Sequence, residues 1–168
     1  MEDKKDAVGF GSIWNNNSWF YEEKNFTKFA KDFLSEEMAK LVVEKDDIQV
    51  RIYEMKKIEG AASVTIRKQK QIFLYDFEME LYFDAKKLSD PDTNCKGKLK
   101  IHELNQDDDE MTIDITLDAQ SDFNTHVRKI LNNQMTELAL KTFQSLGKAM
   151  RAQDADEIKL KRDAMERE

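Results

Sequence analysis

Among the 168 residues, the side chains best placed to do chemistry are cations. Arg67, Lys68 and Lys70 stand almost side by side. With Lys56, Lys57 and a single opposing Glu59 they give residues 56–71 a net charge of +4. Residues 103–118 carry Glu103, Asp107, Asp108, Asp109, Glu110, Asp114 and Asp118 without one Lys or Arg, a local charge of −7. A compact cationic spot on a chain whose net charge is −7 suits it to meet an acidic surface. Lysines that guard a solvated strand edge against aggregation leave the same trace. An arginine in the cluster adds specificity, because a planar guanidinium grips a carboxylate at two points and an ammonium does not. A second group, Trp14, Asn15, Asn16, Asn17, Ser18, Trp19, Phe20 and Tyr21, mixes asparagines with aromatics in a way that suits neither a helix nor an alternating strand. Its aromatics are either interface anchors or plugs that tuck an arm into the core.

Other chemistries lack their residues. The two histidines, His102 and His126, are far apart, Cys95 stands alone, and no spacing of His and Cys forms a zinc site. Asp107, Asp108, Asp109 and Glu110 lack the ligand spacing and the glycine of a calcium loop. No glycine-rich phosphate loop or local nucleophile signature occurs. The reading is therefore no catalytic residue, no metal and no cofactor. Net acidity disfavours nucleic acid as a partner. No run of about 18 apolar residues exists, so no membrane span is expected. The single cysteine and the polar start, MEDKKDAVGF, imply a reducing, cytoplasmic setting.

The cationic spot needs a frame. Phe26, Phe29, Phe33, Leu34 and Leu41 recur at helical steps and predict an amphipathic helix over 25–42. Alternation then takes over. Ile48, Val50 and Ile52 form one short strand, and Ala62, Val64 and Ile66 another. Phe73, Tyr75, Phe77, Met79, Leu81 and Phe83 line one face of a long strand. Leu99 and Ile101, then Met111, Ile113, Ile115 and Leu117, continue the pattern. Turns are expected at 57–60, 69–71 and 105–110, with a longer loop at 87–94 that holds the only proline. A long apolar stripe from Phe123 to Met150 predicts a helix of about 43 Å, with Asp122 as its N-cap. The fold class is α+β: an N-terminal helix, an antiparallel meander of four to five strands, and a long C-terminal helix packed along the sheet. Residues 1–14 read as a flexible arm, 15–150 as one domain and 151–168 as a charged tail or linker.

Taken in order, these motifs resemble the N-terminal domain of the activator of the ninety-kilodalton heat-shock-protein ATPase. That family opens with Asn-x-Asn-Asn-Trp-His-Trp. Asn15, Asn17 and Trp19 match it, while Ser18, Phe20 and Tyr21 replace Asn, His and Trp. Lys24 and Asn25 continue the run, and Ile58, Glu59 and Gly60 match the family's Ile-Glu-Gly. Arg67, Lys68 and Lys70 match Arg-Lys-Gly-Lys, with Gln69 in place of the glycine. An aromatic-Asp pair follows at Tyr75 and Asp76, and a long final helix carries Phe143 and Gly147. Gln69 does not adopt a left-handed backbone as freely as glycine, so the basic loop is expected to sit differently from the family's.

The resemblance implies a cochaperone that is not itself an enzyme and that binds the middle domain of the ninety-kilodalton chaperone to stimulate its ATPase. It implies that Arg67, Lys68 and Lys70 meet acidic groups near the chaperone's catalytic arginine loop. Asn15, Asn17, Trp19, Phe20 and Tyr21, in the arm, would tune hydrolysis or nucleotide release. The family's longer members carry a second, C-terminal domain for which 168 residues leave no room. Two alternatives stand beside this reading. One is a carrier of an apolar ligand in a cavity between helix and sheet, motivated by 10 Phe and 8 Met. The other is an adaptor that binds without activating.

Overall fold

Alternation along one strand organises the molecule. Phe73, Tyr75, Phe77, Met79, Leu81, Phe83 and Ala85 are all buried, and the residues between them face outward. They belong to β4 (Lys70–Lys87), the centre of a six-stranded antiparallel sheet. A computed structural model describes residues 19–117 and 121–167. Its elements are β1 (Glu22–Asn25), α1 (Thr27–Met38), β2 (Val42–Lys45), β3 (Ile48–Arg67), β4, β5 (Asp90–Asn105), β6 (Ile113–Leu117), α2 (Asp122–Ile130), α3 (Thr136–Gln144) and α4 (Leu146–Glu166). A π-helical turn, Leu131–Met135, joins α2 to α3. The sheet order is β1-β3-β4-β5-β6, with β2 also paired to β3. This is the expected α+β arrangement of helix, meander and long C-terminal helical segment.

The largest difference from expectation lies in β3. A turn was expected at 57–60, but β3 runs unbroken for 20 residues against β4. Gly60 marks a close backbone approach instead. Its φ is +144°, and a Cβ there would lie 1.9 Å from the Asp76 carbonyl oxygen and 2.8 Å from a Phe77 ring carbon. Register shifts between Ile52 and Glu54 and between Met55 and Lys57 interrupt the burial pattern nearby, which is why the middle of β3 reads as a turn in sequence.

The other boundaries shift for local reasons. α1 is shorter than 25–42 because Asn25 belongs to β1 and its side chain accepts the Thr27 N–H (2.9 Å). Val42 opens β2, a strand that the helical spacing conceals. The expected loop at 87–94 contracts to Leu88 and Ser89. Pro91 sits within β5 where β6 does not reach, so its missing N–H costs no ladder bond there. Ser121, not Asp122, caps α2, accepting the Asn124 N–H (3.1 Å). Asp122 is the first helical residue.

The apolar stripe is buried at Val127, Ile130, Leu131, Met135, Ala139, Phe143, Leu146 and Met150. Leu131, Met135, Ala139 and Phe143 are four apart, and on an ideal α-helix each such step drifts by about 40°. The wider π turn absorbs part of that drift. α1 closes the same core with Ala30, Leu34 and Met38. Residues beyond 150 continue α4, whose Asp154 is only 1% exposed. Among the described residues, no helix is long and apolar enough to cross a membrane.

Two glycines test this account in opposite directions. Gly60→Ala should destabilise by about 2–3 kcal/mol, from the clash and the positive φ together. Gly147→Ala places its Cβ in ordinary contact with Tyr75 (3.6 Å) within α4 and should stabilise by about 0.5 kcal/mol. Urea unfolding of both variants checks the pair.

Candidate functional site

The cationic cluster stands at the tip of the molecule's longest hairpin. β3 ends at Arg67 and β4 begins at Lys70, so Lys68 and Gln69 are the two central residues of the turn. Their φ angles are 49° and 64°, the left-handed pair that a type I′ hairpin requires. Gln69 therefore adopts the conformation expected to need glycine. The twist of two long strands favours primed turns for a two-residue connection, and this one is type I′. The cost of left-handed backbone at Lys68 and Gln69 is carried by the rest of the ladder.

A second turn shows how such strain is usually offset. Asp46 and Asp47, between β2 and β3, have φ angles of 52° and 66°. The Asp47 carboxylate accepts the Ser89 N–H (3.1 Å) and the Ser89 hydroxyl, and its carbonyl accepts the Leu88 N–H (2.7 Å). Asp also tolerates this region better than Lys or Gln. The basic tip has one comparable tie, the Lys68 N–H donated to the Trp19 carbonyl (3.0 Å).

Charge adds to the strain. Arg67 and Lys70 are direct cross-strand partners, a like-charge pairing that weakens a hairpin. Arg67, Lys68 and Lys70 are all exposed, and none makes an ion pair with another described residue. Lys86, Lys96 and Lys98 on the same open face also make no ion pair among the described residues, but four other cations there do. Arg51 holds Asp84 at two points (2.9 and 2.9 Å), Lys56 meets Glu80, Lys57 meets Glu59 and Lys100 meets Glu78. The +4 stretch of the sequence thus contracts to its tip, because Lys56 and Lys57 are already neutralised.

The arm joins the same end. The bond from Lys68 to Trp19 extends the β1–β3 pairing, which seats Trp19, Phe20 and Tyr21 beside the turn. All three are exposed, at 58%, 72% and 61%, so they do not plug the core. The Tyr21 hydroxyl donates to Glu23 (3.0 Å), and that bond with the negative charge of Glu23 holds the phenol above its ordinary pKa. Asn15 and Asn17 lie outside the described residues. Elsewhere the acidic surface works against itself. A hydrogen bond to Asp76 and that group's charge raise the Glu103 carboxyl above the usual range.

Two exposed apolar residues beside the tip escaped the sequence reading. Ile72 (50% exposed) and Leu74 (42%) lie on the open face of β4, opposite Thr65 and Ser63 and next to the tip. The signal was present: Ile72, Phe73, Leu74 and Tyr75 are consecutive apolar residues in a strand that otherwise alternates. Behind the tip, α4 braces the frame. The Asp154 carboxylate accepts Lys24 Nζ of β1 (2.8 Å) and Gln71 Nε2 of β4 (2.5 Å), and the Arg151 guanidinium lies 4.4 Å from the Phe73 ring centroid. The arrangement is a rigid cationic tip with an apolar strip beside it, suited to binding an acidic surface that has an apolar centre. Among the described residues, no group of His, Cys, Asp and Glu is placed to hold a metal.

A carrier needs an enclosed space between helix and sheet. That interface is filled by Phe77, Phe83 and Phe143, each fully buried. A cleft of about 590 Å³ opens at the opposite end of the sheet from the tip, with Lys45, Asp46, Lys87, Asp122 and Lys129 lining it. Ile48, Phe123 and Ile130 line it as well, so it is a mixed groove open at the surface and not an enclosed chamber.

A family model described as "Activator of Hsp90 ATPase, N-terminal" matches residues 23–154. The chain is 31% identical, over 99% of its length, to the cattle protein named activator of 90 kDa heat shock protein ATPase homolog 2, and covers 67% of it. It is 24% identical to the human homolog 1, over 82% of this chain and 39% of that protein. It is 26% identical to the Saccharomyces cerevisiae Hsp90 co-chaperone HCH1, over 60% of this chain and 72% of that protein. The fold resembles the crystal structure of Aha-1 from Plasmodium falciparum, with a TM-score of 0.69 and 20% identity over 80% of this chain and 91% of that one. It also resembles the human Aha1 N-terminal domain, with a TM-score of 0.57 and 23% identity over 74% and 94%.

Two substitutions check the mechanics of the tip. Gln69→Gly should stabilise the protein by about 0.5–1 kcal/mol in urea unfolding, since glycine takes the left-handed turn without a Cβ penalty. No gain would mean that the turn is unstrained. Asp154→Ala removes the carboxylate that accepts from Lys24 and Gln71 and should cost about 1–3 kcal/mol in urea unfolding.

Proposed function

Because the chain belongs to the family of activators of Hsp90 ATPase, we propose that it is a co-chaperone that docks its basic hairpin tip on the middle domain of Hsp90 and raises that protein's rate of ATP hydrolysis. In this reading Arg67, Lys68 and Lys70 meet carboxylates of the chaperone, and Ile72 and Leu74 fill the apolar centre of the contact. Trp19, Phe20 and Tyr21, with Asn15 and Asn17 before them, form the arm that biases the chaperone toward its hydrolysing state. The chain binds and positions, and the chaperone performs the chemistry.

The observation that carries this reading is the crowding of three exposed cations on one hairpin turn. Among the described residues Arg67, Lys68 and Lys70 make no ion pair, whereas Arg51, Lys56, Lys57 and Lys100 of the open face have acidic partners. Their placement costs the fold left-handed backbone and like-charge pairing, features that concentrate where function requires them.

Binding alone accelerates nothing. An activator must bind the competent state of its partner more tightly than the resting state. Each tenfold stimulation requires about 1.4 kcal/mol of that difference. A charge-assisted contact excluded from water costs about 2–5 kcal/mol when one partner is truncated, so one or two contacts made only in the competent state are enough.

ATP turnover by the cognate purified chaperone should rise saturably as this protein is added. Arg67→Ala and Lys68→Ala should each raise the half-saturating concentration at least about tenfold, and added salt should act in the same direction. Lys86→Ala, at the opposite end of the sheet, should change nothing. Binding without any rise in turnover would make the chain an adaptor. Normal stimulation by the Arg67 and Lys68 variants would place the contact elsewhere.

A further inference from the structure

The edge of β4 next to the tip is open. β5 pairs with β4 only from Asp76 onward, where Asn105 is its partner. Just before that point, Tyr75 turns its main chain away from β3. Its N–H is donated to the Gln106 side chain (3.0 Å), and its carbonyl accepts the Gln106 N–H (3.2 Å). Strand parity then orients the neighbours. In an antiparallel ladder, residues two apart aim their main-chain groups to the same side. Phe73 and Gln71 therefore point their N–H and C=O groups away from β3, as Tyr75 does. The other side of β3 agrees, because Ala62 and Lys68 bond Phe26 and Trp19 on the β1 side, which leaves Ser63, Thr65 and Arg67 to bond β4. Among the described residues nothing accepts from or donates to the outward main-chain groups of Gln71 and Phe73.

Natural proteins protect such edges with charge. Here the guard is of one sign. From Arg67 to Tyr75 there are three cations and no acidic residue, and Arg151 of α4 lies over Phe73 on the helix side. Past Tyr75 the sign reverses at Asp76, Asp107 and Asp108, which bounds the open stretch. A guard of this kind repels basic strands and attracts an acidic one. Side chains of an added strand would alternate between the Arg151 side and the open face, where Ile72 and Leu74 are exposed.

We infer that the partner docks here by strand addition: an extended segment that alternates acidic and apolar residues pairs its backbone with Gln71 and Phe73 at the open edge of β4. The inference rests on the reading of the tip as the docking site and adds the mode of attachment. Main-chain pairing supplies affinity, and the cations and the apolar strip select the sequence.

The test is amide hydrogen exchange of the isotope-labelled full chain, read by NMR, free and saturated with the cognate chaperone. Free in solution, the Gln71 and Phe73 amides should exchange faster than those of Ile72 and Leu74, which are bonded to β3. In the complex the Gln71 and Phe73 rates should fall at least tenfold, while those of Ile72 and Leu74 change little. If Lys68 and Lys70 resonances shift on saturation but the Gln71 and Phe73 rates do not fall, strand addition is wrong and docking at the tip survives. If no resonance of the tip responds to the chaperone, the docking reading fails, and this inference with it. Sedimentation of the protein alone supplies a control. A concentration-dependent dimer that slows the same two amides would make a second copy the occupant and overturn the assignment to an acidic partner.

Discussion

The hairpin register between β3 and β4 is the constraint on which the structure depends. From Ile48 opposite Lys87 to Arg67 opposite Lys70, two strands spanning about 65 Å stay paired, with register shifts only between Ile52 and Glu54 and between Met55 and Lys57. A slip of one residue would turn Phe73, Phe77, Phe83 and their neighbours from the core to water. The two-residue turn at Lys68 and Gln69 connects the strands directly, and Gly60 lets the chain approach Asp76 and Phe77 closely in this alignment. The aromatic ladder of β4 thus secures the fold, and the fold in turn holds a turn that its own residues would not choose.

This order of cause and effect explains why the tip is both strained and charged. Burial of Phe77, Met79, Leu81 and Phe83 contributes roughly 1.5–3 kcal/mol per side chain. Against that, a left-handed lysine and glutamine and one like-charge pair are small costs. The core can therefore present Arg67, Lys68 and Lys70 on a rigid platform without neutralising them. α4 completes the platform from behind, where the carboxylate of Asp154 ties β1 and β4 together across β3. Strain, charge and bracing meet at one end of the sheet, beside the exposed aromatics of the arm.

Where the family motif carries glycine, Gln69 takes up the left-handed conformation that glycine favours. Backbone preference is a local term of about a kilocalorie per mole, and here it is outweighed by the ladder on both sides. The same competition hid the continuity of β3. Two register shifts and a glycine imitate a turn in sequence, and only the opposing residues of β4 show that the chain passes straight through.

Periodic features were legible from the residues alone. The α+β class, the buried face of β4 and the apolar stripe from Phe123 to Met150 follow from spacing, because burial on one side imposes a period of two or of about 3.6. The cationic cluster and the aromatic arm were legible as compositions. Their proximity was not: it arises because β1 pairs with β3 and brings Trp19 to Lys68, a contact between residues 49 positions apart in sequence. Tertiary structure also decided how charges are paired, since only the folded sheet sets Lys56 against Glu80 and leaves Lys68 and Lys70 without an ion pair among the described residues. It decided, too, that Asp154 of a charge-rich segment would be buried. Local sequence specifies periodicity and propensity, while pairing, neutralisation and burial belong to residues that meet only when the strands are in register.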